Sequence, residues 1–404
     1  MTTRLYYHEP WCRSFDGRVV DLAPAGEPGR SLVYLDRSAF YPTTGGQPFD
    51  TGRLGGARVV DVLDQEDGRV AHVVEGTLAV GDQVRGEIDW GRRFDHMQQH
   101  TGQHILSAAF ERLHGARTES FHLGSDVSTI DLDADVSAVQ VASAEGLASE
   151  VVWDDRPVGI RFVSTEEAAR LPLRKPPVKS GTLRLIEVQD FDLSACGGTH
   201  VSRTGEVGVI AVKAWERYKG GTRIEFVCGA RALASYRLFR DAVTGSVRAL
   251  SVFPHELPDG IARLQAANKD AQREIRRLRE ALAGHEGVAW RSQAEMLGPV
   301  RAVVAAVEGY DASSMKLLAA AAADAPGHAA VFFDKARPAI VAAAAHAGVP
   351  AADCGALVRD LCARFGGRGG GKPTVAQGGG LDAPAADLVA FTRGWLAART
   401  PPTV

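Results

Sequence analysis

The stretch Phe94-Asp95-His96-Met97-Gln98-Gln99-His100-Thr101-Gly102-Gln103-His104-Ile105-Leu106-Ser107-Ala108-Ala109 decides how the chain reads. Phe94, Met97, His100, Thr101, His104, Ile105, Ala108 and Ala109 recur at three and four residues, which predicts one face of an amphipathic helix ending near Gly115. His100 and His104 stand at i and i+4, so both rings can reach one ion. Far along the chain, Cys196-Gly197-Gly198-Thr199-His200 repeats that spacing. Its two glycines permit a tight turn and a close approach to the backbone. Three imidazoles and one thiolate suit a tetrahedral Zn²⁺, so His100, His104, Cys196 and His200 are the expected ligands. His96, one helical turn earlier, reads as solvated or capping.

Outward from this helix, strand-like pieces follow at Ser128–Leu132, Val158–Val163, Leu183–Val188, Val207–Val212 and Arg223–Val227, with a helix at Ala142–Trp153. Residues 91–252 are therefore expected to form an α+β zinc-binding domain. Residues 1–90 read as strands and turns, a small β-barrel-like domain with a hairpin joining Arg58–Leu63 to Val70–Val74. After a helix at Ala230–Ser251, Pro254 and Pro258 break the chain. Residues 253–295 then form a helical linker with Ile261, Asn268, Ile275 and Leu282 at heptad position a and Leu264, Ala271 and Leu278 at d. The alanine-rich remainder, 296–404, reads as a small α/β domain. Its glycine loop, Gly366-Gly367-Arg368-Gly369-Gly370-Gly371-Lys372, precedes the last helix. The fold class expected is α+β multidomain.

A chain of 404 residues, 45% hydrophobic and 24% charged, has the length of two or three domains and the composition of a folded one, which excludes wholesale disorder. No apolar run approaches the ~18–20 residues of a membrane helix, and Met1–Cys12 lacks the apolar core of a signal peptide. A cytoplasmic, membrane-free location is expected. Five cysteines are too few and too uneven for a disulfide framework. A net charge of −3 attracts no polyanion, so a nucleic-acid partner would need local basic patches. Arg174-Lys175 with Lys179, the group Lys213, Arg217, Lys219 and Arg223, and the group Arg276, Arg277 and Arg279 each read as ordinary solvated faces. Arg368 and Lys372, in the glycine loop, are the expected phosphate contacts.

One more stretch carries polar chemistry: Phe40-Tyr41-Pro42-Thr43-Thr44-Gly45-Gly46-Gln47-Pro48-Phe49-Asp50-Thr51-Gly52. Read by itself it is either a pair of turns or a pocket for a small polar substrate. Taken with the His-x-x-x-His helix and the Cys-Gly-Gly-Thr-His turn, in this order, it resembles the editing region of alanyl-tRNA synthetases and the freestanding alanyl-tRNA editing proteins of the AlaX type. Arg223-Ile224-Glu225-Phe226 with Gly229 is similar to the strand that ends that domain. The C-terminal region resembles the accompanying DHHA1, or C-Ala, module. No stretch ahead of the editing region reads as an aminoacylation domain, so the long AlaX form is the expectation.

The resemblance implies trans hydrolysis of tRNA(Ala) mischarged with serine, and of glycine as a further substrate. It implies the same four zinc ligands. Gln103 stands where synthetases often carry Thr, and is expected to position water without acting as a base. Ser120 and His122 fall near family pocket positions. Zinc can polarise an ester carbonyl and lower the pKa of a coordinated water towards ~7; a four-ligand zinc would instead be structural. Serine differs from alanine by one hydroxyl, and a site with polar groups waiting for it can reject the analogue lacking it by ~10⁴-fold. Thr43, Thr44 and Gln47 are the expected readers of that hydroxyl. The alternative class is a non-catalytic tRNA-binding protein with a structural zinc. A DHHA1 phosphoesterase would need an Asp-His-His sequence, which the chain lacks. The heptad at 261–282 predicts a homodimer, with a helical hairpin onto Ala230–Ser251 as the competing arrangement.

Overall fold

The computed structural model describes residues 1–175, 181–349 and 351–399. They fall into two compact units, Met1–Gly245 and Ser246–Val404. The boundaries expected at 90 and 295 lie inside these units.

In the first unit six strands close a barrel: β1 (Ser14–Pro24), β2 (Arg30–Leu35), β3 (Gly52–Leu54), β4 (Ala57–Asp64), β5 (Val70–Glu75) and β6 (Gln83–Ile88), ordered β1-β2-β5-β4-β3-β6. The β4–β5 hairpin expected from the sequence is present. Phe15, Val19, Val33, Leu35, Val59, Val62 and Val74 fill its interior. Alternation along β6 puts Val84, Gly86 and Ile88 inside and the charged residues between them outside.

Helix α1 (Trp90–His114) starts at Asp89, whose side chain accepts from the Arg92 amide, and ends at Gly115 with φ 66°, a left-handed cap. From His96 to Phe110 every residue is buried, so the helix is a spine enclosed on all sides and not the one-faced helix its period predicts. The polar positions off that face are satisfied internally. Gln98 donates to the carbonyl of Glu206, and Gln99 exchanges two hydrogen bonds with the Cys228 backbone. At Gly102 a Cβ would lie 2.3 Å from Cys228 Sγ, so the missing side chain is what lets a strand press on the helix here.

Around α1 stand β7 (Thr118–Leu123), β8 (Ser128–Leu132), α2 (Ala138–Trp153), β9 (Val158–Ser164), β10 (Thr182–Val188), β11 (Asp192–Ala195), β12 (Ile210–Tyr218) and β13 (Gly221–Cys228). They form a sheet ordered β12-β13-β8-β7 and a sheet ordered β9-β10-β11, followed by α3 (Gly229–Leu250). β12 begins at Ile210; the expected start at Val207 is a 3₁₀ turn, Thr204–Val207.

Barrel and spine belong to one unit for a visible reason. Arg93 on α1 is fully buried and ion-paired with the equally buried Asp50, and it also donates to the carbonyls of Pro10 (2.8 Å) and Ala39 (2.5 Å). Asp50 in turn accepts from the Tyr41 amide at 2.6 Å. The 40–52 loop is thereby clamped to the helix that carries His100 and His104.

The second unit holds α4 (Leu257–Arg291), β14 (Glu295–Leu297), β15 (Val300–Val307), α5 (Ala312–Ala323), β16 (His328–Asp334), β17 (Ala339–Ala345), α6 (Cys354–Phe365), β18 (Arg368–Lys372), β19 (Val375–Leu381) and α7 (Ala385–Ala397). Its six strands order as β14-β15-β16-β17-β19-β18, with only β15 and β16 parallel. The expected glycine loop is strand β18, paired through its backbone to β19 at the sheet edge. The C-terminal part of α4 packs into this unit through Ala283 and Trp290, while Ile261, Leu264, Ile275, Leu278 and Leu282 are exposed. Among the described residues no helix is long and apolar enough to cross a membrane.

Candidate metal centre

α1 presents His100 and His104 one turn apart, and the turn after β11 presents Cys196 and His200. The four ligand atoms all lie within 4.8 Å of one another. Cys196 Sγ is 3.4 Å from His100 Nε2 and 3.3 Å from His200 Nε2. Zinc–sulfur and zinc–nitrogen bonds meeting at a tetrahedral angle would separate such atoms by roughly 3.3–3.6 Å, so the residues fit that ion. The glycines of the turn make this closeness possible: a Cβ on Gly198 would come 2.1 Å from His100 Cε1.

Each imidazole is turned by a partner on its other nitrogen. His100 Nδ1 faces Gln47 Oε1 at 2.9 Å, His104 Nδ1 faces Asp192 Oδ2 at 2.9 Å, and His200 Nδ1 faces Thr101 Oγ1 at 3.1 Å. Such contacts fix ring orientation and leave the three Nε2 atoms free to converge. Asp192 is itself held by Arg174 at 2.6 Å and by Ser194. Asp192 and Thr101 escaped sequence reading. The signal available was a carboxylate four residues before Cys196, at the start of the short strand leading to it, and a threonine flanking His100.

The thiolate and Asp192 make the cluster electronegative, and a bound cation would displace the proton they hold on His104. Burial works against ionising Cys196, but His100 and His200 beside it hold the thiol well below its ordinary value. Burial also opposes a charge on His104, yet its hydrogen bond to Asp192 and the nearby thiolate raise it to about 9. Burial alone would raise Asp192; His104 and Arg174 outweigh it and bring the carboxyl down to about 2. Desolvation lowers His200 to about 3, keeping its ring neutral and its nitrogen available. The cluster thus keeps a thiolate ready for a metal ion.

The remaining expected residues separate. Gln47 is buried, and besides His100 its amide meets the Thr199 hydroxyl at 2.8 Å and the Thr199 amide at 3.0 Å. It braces the centre and is not a free reader of a substrate hydroxyl. Thr43 is exposed and its hydroxyl accepts from Phe49 N at 3.1 Å, which is turn chemistry. Thr44 is half-buried, its backbone pairs with Gln47, and its hydroxyl has no hydrogen bond among the described residues. Gln103 is buried and donates to Ser107, four residues on, so its amide nitrogen is committed to its own helix. His96 is buried, not solvated, with Nδ1 unpartnered among the described residues, and it is not part of the ligand cluster. Ser120 donates to Asp131, and His122 is exposed.

Several of the basic candidates are engaged within the protein. Arg174 braces Asp192, Lys175 donates to the carbonyls of Thr118 and Glu119, Arg217 pairs with Asp135, Arg223 with Asp131, Arg277 with Glu274 and Arg279 with Asp311. Lys179 lies outside the described residues. Arg368 and Lys372, in the second unit, are exposed at the two ends of β18 and in no ion pair among the described residues.

Residues 183–225, from β10 through the ligand turn to β13, match the threonyl and alanyl tRNA synthetase second additional domain. Along its length the chain is 31% identical to the alanyl-tRNA editing protein AlaX-L of Pyrococcus horikoshii, covering 94% of each. The chain belongs to the AlaX-L family. It is also 35% identical to the alanine–tRNA ligase of Pyrococcus abyssi over 70% of this chain and 32% of the ligase, so it spans about a third of that enzyme. The C-Ala domain of Aquifex aeolicus alanyl-tRNA synthetase aligns with 26% of the chain and 98% of its own at 15% identity and a TM-score of 0.24, too slight a likeness to argue from.

Proposed function

We propose that this chain is a trans-editing hydrolase that removes serine, and also glycine, from mischarged tRNA(Ala). The observation that carries the reading is the converging tetrad His100, His104, Cys196 and His200, each histidine braced from outside, in a chain of the AlaX-L family. Zinc is the ion this donor set and spacing fit, and when bound it would supply electrostatic polarisation of the aminoacyl ester. The protein's own contributions follow from the contacts. Gln47, Asp192 and Thr101 hold the three rings. Arg93 and Asp50 hold the loop that carries Gln47 beside them, with Thr44 paired to Gln47 through the backbone. The unengaged Thr44 hydroxyl is the group suited to meet the serine hydroxyl, since a polar group left unpaired by alanine is what makes discrimination large.

The second unit supplies affinity for tRNA through Arg368 and Lys372, unpaired cations on an exposed edge strand, in the manner of a C-Ala module. The exposed apolar seam of α4, Ile261 to Leu282, is covered by a second copy of the chain, with Asn268 fixing register in a homodimer. The protein works on tRNA in the cytoplasm.

One observation favours a second reading. Four protein ligands close a tetrahedral zinc shell, as in structural sites, and a tRNA-binding protein with a structural zinc would show the same tetrad. Incubating the protein with Ser-, Gly- and Ala-tRNA(Ala) side by side separates the two. The hydrolase releases serine and glycine and leaves alanine in place. Retention of all three amino acids on a tRNA that the protein binds would leave only the binding module.

A further inference from the structure

Arg184 lies on β10 opposite Cys196, since Leu185 pairs with Ala195 in the adjoining register position. The residue is 8% exposed. Nη1 donates to the carbonyl oxygens of Cys196 at 2.7 Å and Gly198 at 2.9 Å, and Nε donates to the carbonyl of Tyr7 at 2.9 Å. Nη2 is buried with no acceptor among the described residues. Arg174, another arginine near the centre, has Asp192 as its counterion. Among the described residues no carboxylate plays that part for Arg184. A buried guanidinium without a carboxylate is costly, so this side chain is not explained by pairing.

Its contacts explain it instead. The two carbonyls it grips bracket the Gly197-Gly198 turn, which sets the separation of Cys196 from His200. Gly198 also packs directly on the His100 ring, where a Cβ would collide with Cε1 and Nδ1 and approach Gln47 Oε1. A shift of that turn by a few tenths of an ångström therefore moves two ligands and disturbs a third. The hydrogen bond to Tyr7 extends the same grip to the beginning of the chain, where the Tyr7 ring lies 3.9 Å from the position of a Cβ on Gly197. A planar fork can reach carbonyls on both sides at once; an ammonium on a flexible stem cannot hold the same set.

We propose that Arg184 is the positioning residue of the metal centre: its fork holds the Cys196–His200 turn against His100 and joins the first turn of the chain to it, so that metal affinity depends on a side chain that touches no metal. This rests on the metal reading above. Outer partners of metal ligands typically change affinity by roughly 10–100-fold when removed.

The test uses the full-length protein, Arg184→Met and Arg184→Lys. Zinc affinity is measured by competition with a chromogenic chelator, the visible spectrum is recorded after cobalt loading, and thermal unfolding reports folding. Arg184→Met should bind zinc roughly tenfold to a hundredfold more weakly and show an altered cobalt–thiolate spectrum, and Arg184→Lys should not restore either. Native affinity and spectrum in a folded Arg184→Met would overturn the proposal, as would full restoration by lysine. If the methionine variant does not fold, the lysine variant decides by the same two readouts. A wild-type chain that takes up no metal removes the metal reading and this one together, whereas a metal-binding wild type with unaffected variants removes this one alone.

Discussion

Two glycine-rich stretches, Cys196–His200 and Arg368–Lys372, use the same residue to opposite ends. In the first, glycine removes side-chain bulk so that a turn can lie on the His100 ring, and nearly every polar group around it has a partner. In the second, three glycines form an edge strand whose backbone pairs with β19 while both flanking cations stand in solvent. A buried, mutually braced cluster suits a fixed ion and a reaction that tolerates little displacement. An open edge with unpaired cations suits a polyanion that must come and go. Chemistry and affinity are therefore expected to separate cleanly between the two stretches.

The harshest way to break that contrast is at the ligands. Cys196→Ala should lose bound zinc and slow serine release by roughly a thousandfold, the several kcal/mol that a Lewis acid contributes to such a step. Metal analysis and a single-turnover assay check it together. Next comes the clamp behind the cluster. Arg93→Met leaves Asp50 charged, buried and unpaired, and should destabilise the first unit by about 3–5 kcal/mol in urea unfolding. A loss below 1 kcal/mol would mean that the 40–52 loop is held by something else. Asp192→Asn keeps an acceptor for His104 but deprives Arg174 of its counterion. It should weaken zinc binding by roughly 10–100-fold with the fold intact, read by chelator competition. The smallest effect is expected at the hairpin. Arg368→Ala with Lys372→Ala should weaken tRNA binding severalfold and lower the salt dependence by about one to two phosphate contacts, leaving single-turnover serine release at saturating tRNA unchanged. A fall in that saturating rate would erase the separation.

How much of this was legible beforehand differs between the same two regions. The tetrad could be read because each half of it is an i,i+4 pair, and local spacing survives folding. Its braces could not. Gln47 meets His100 across 53 residues and Asp192 meets His104 across 88, and the packing of the 40–52 loop and of β11 on α1 brings them together, not any spacing. Gln47 reads from the sequence as a substrate contact, whereas in the structure it is fully buried with its amide turned to His100 and Thr199. The period of α1 was right and its burial was not, because Gln98 and Gln99 look solvent-facing until the backbone of Glu206 and Cys228 arrives to pair with them. At β18 the glycines carry no side-chain pattern, so a strand made by backbone pairing alone reads as a loop. The alanines of β17 are similarly silent: nothing in their composition favours a strand, and burial between β16 and β19 decides it. The barrel was the most readable part, since alternation of apolar residues is a property of the strand itself.

The central claim is that the metal centre performs the editing reaction and does more than hold the fold. The most direct measurement strips the protein with a chelator, confirms by circular dichroism that it remains folded, and follows serine release from Ser-tRNA(Ala) as zinc is titrated back. The account predicts little release without metal and a rate that rises in proportion to zinc until one ion per chain is bound. Full serine release by the folded, metal-free chain would contradict it.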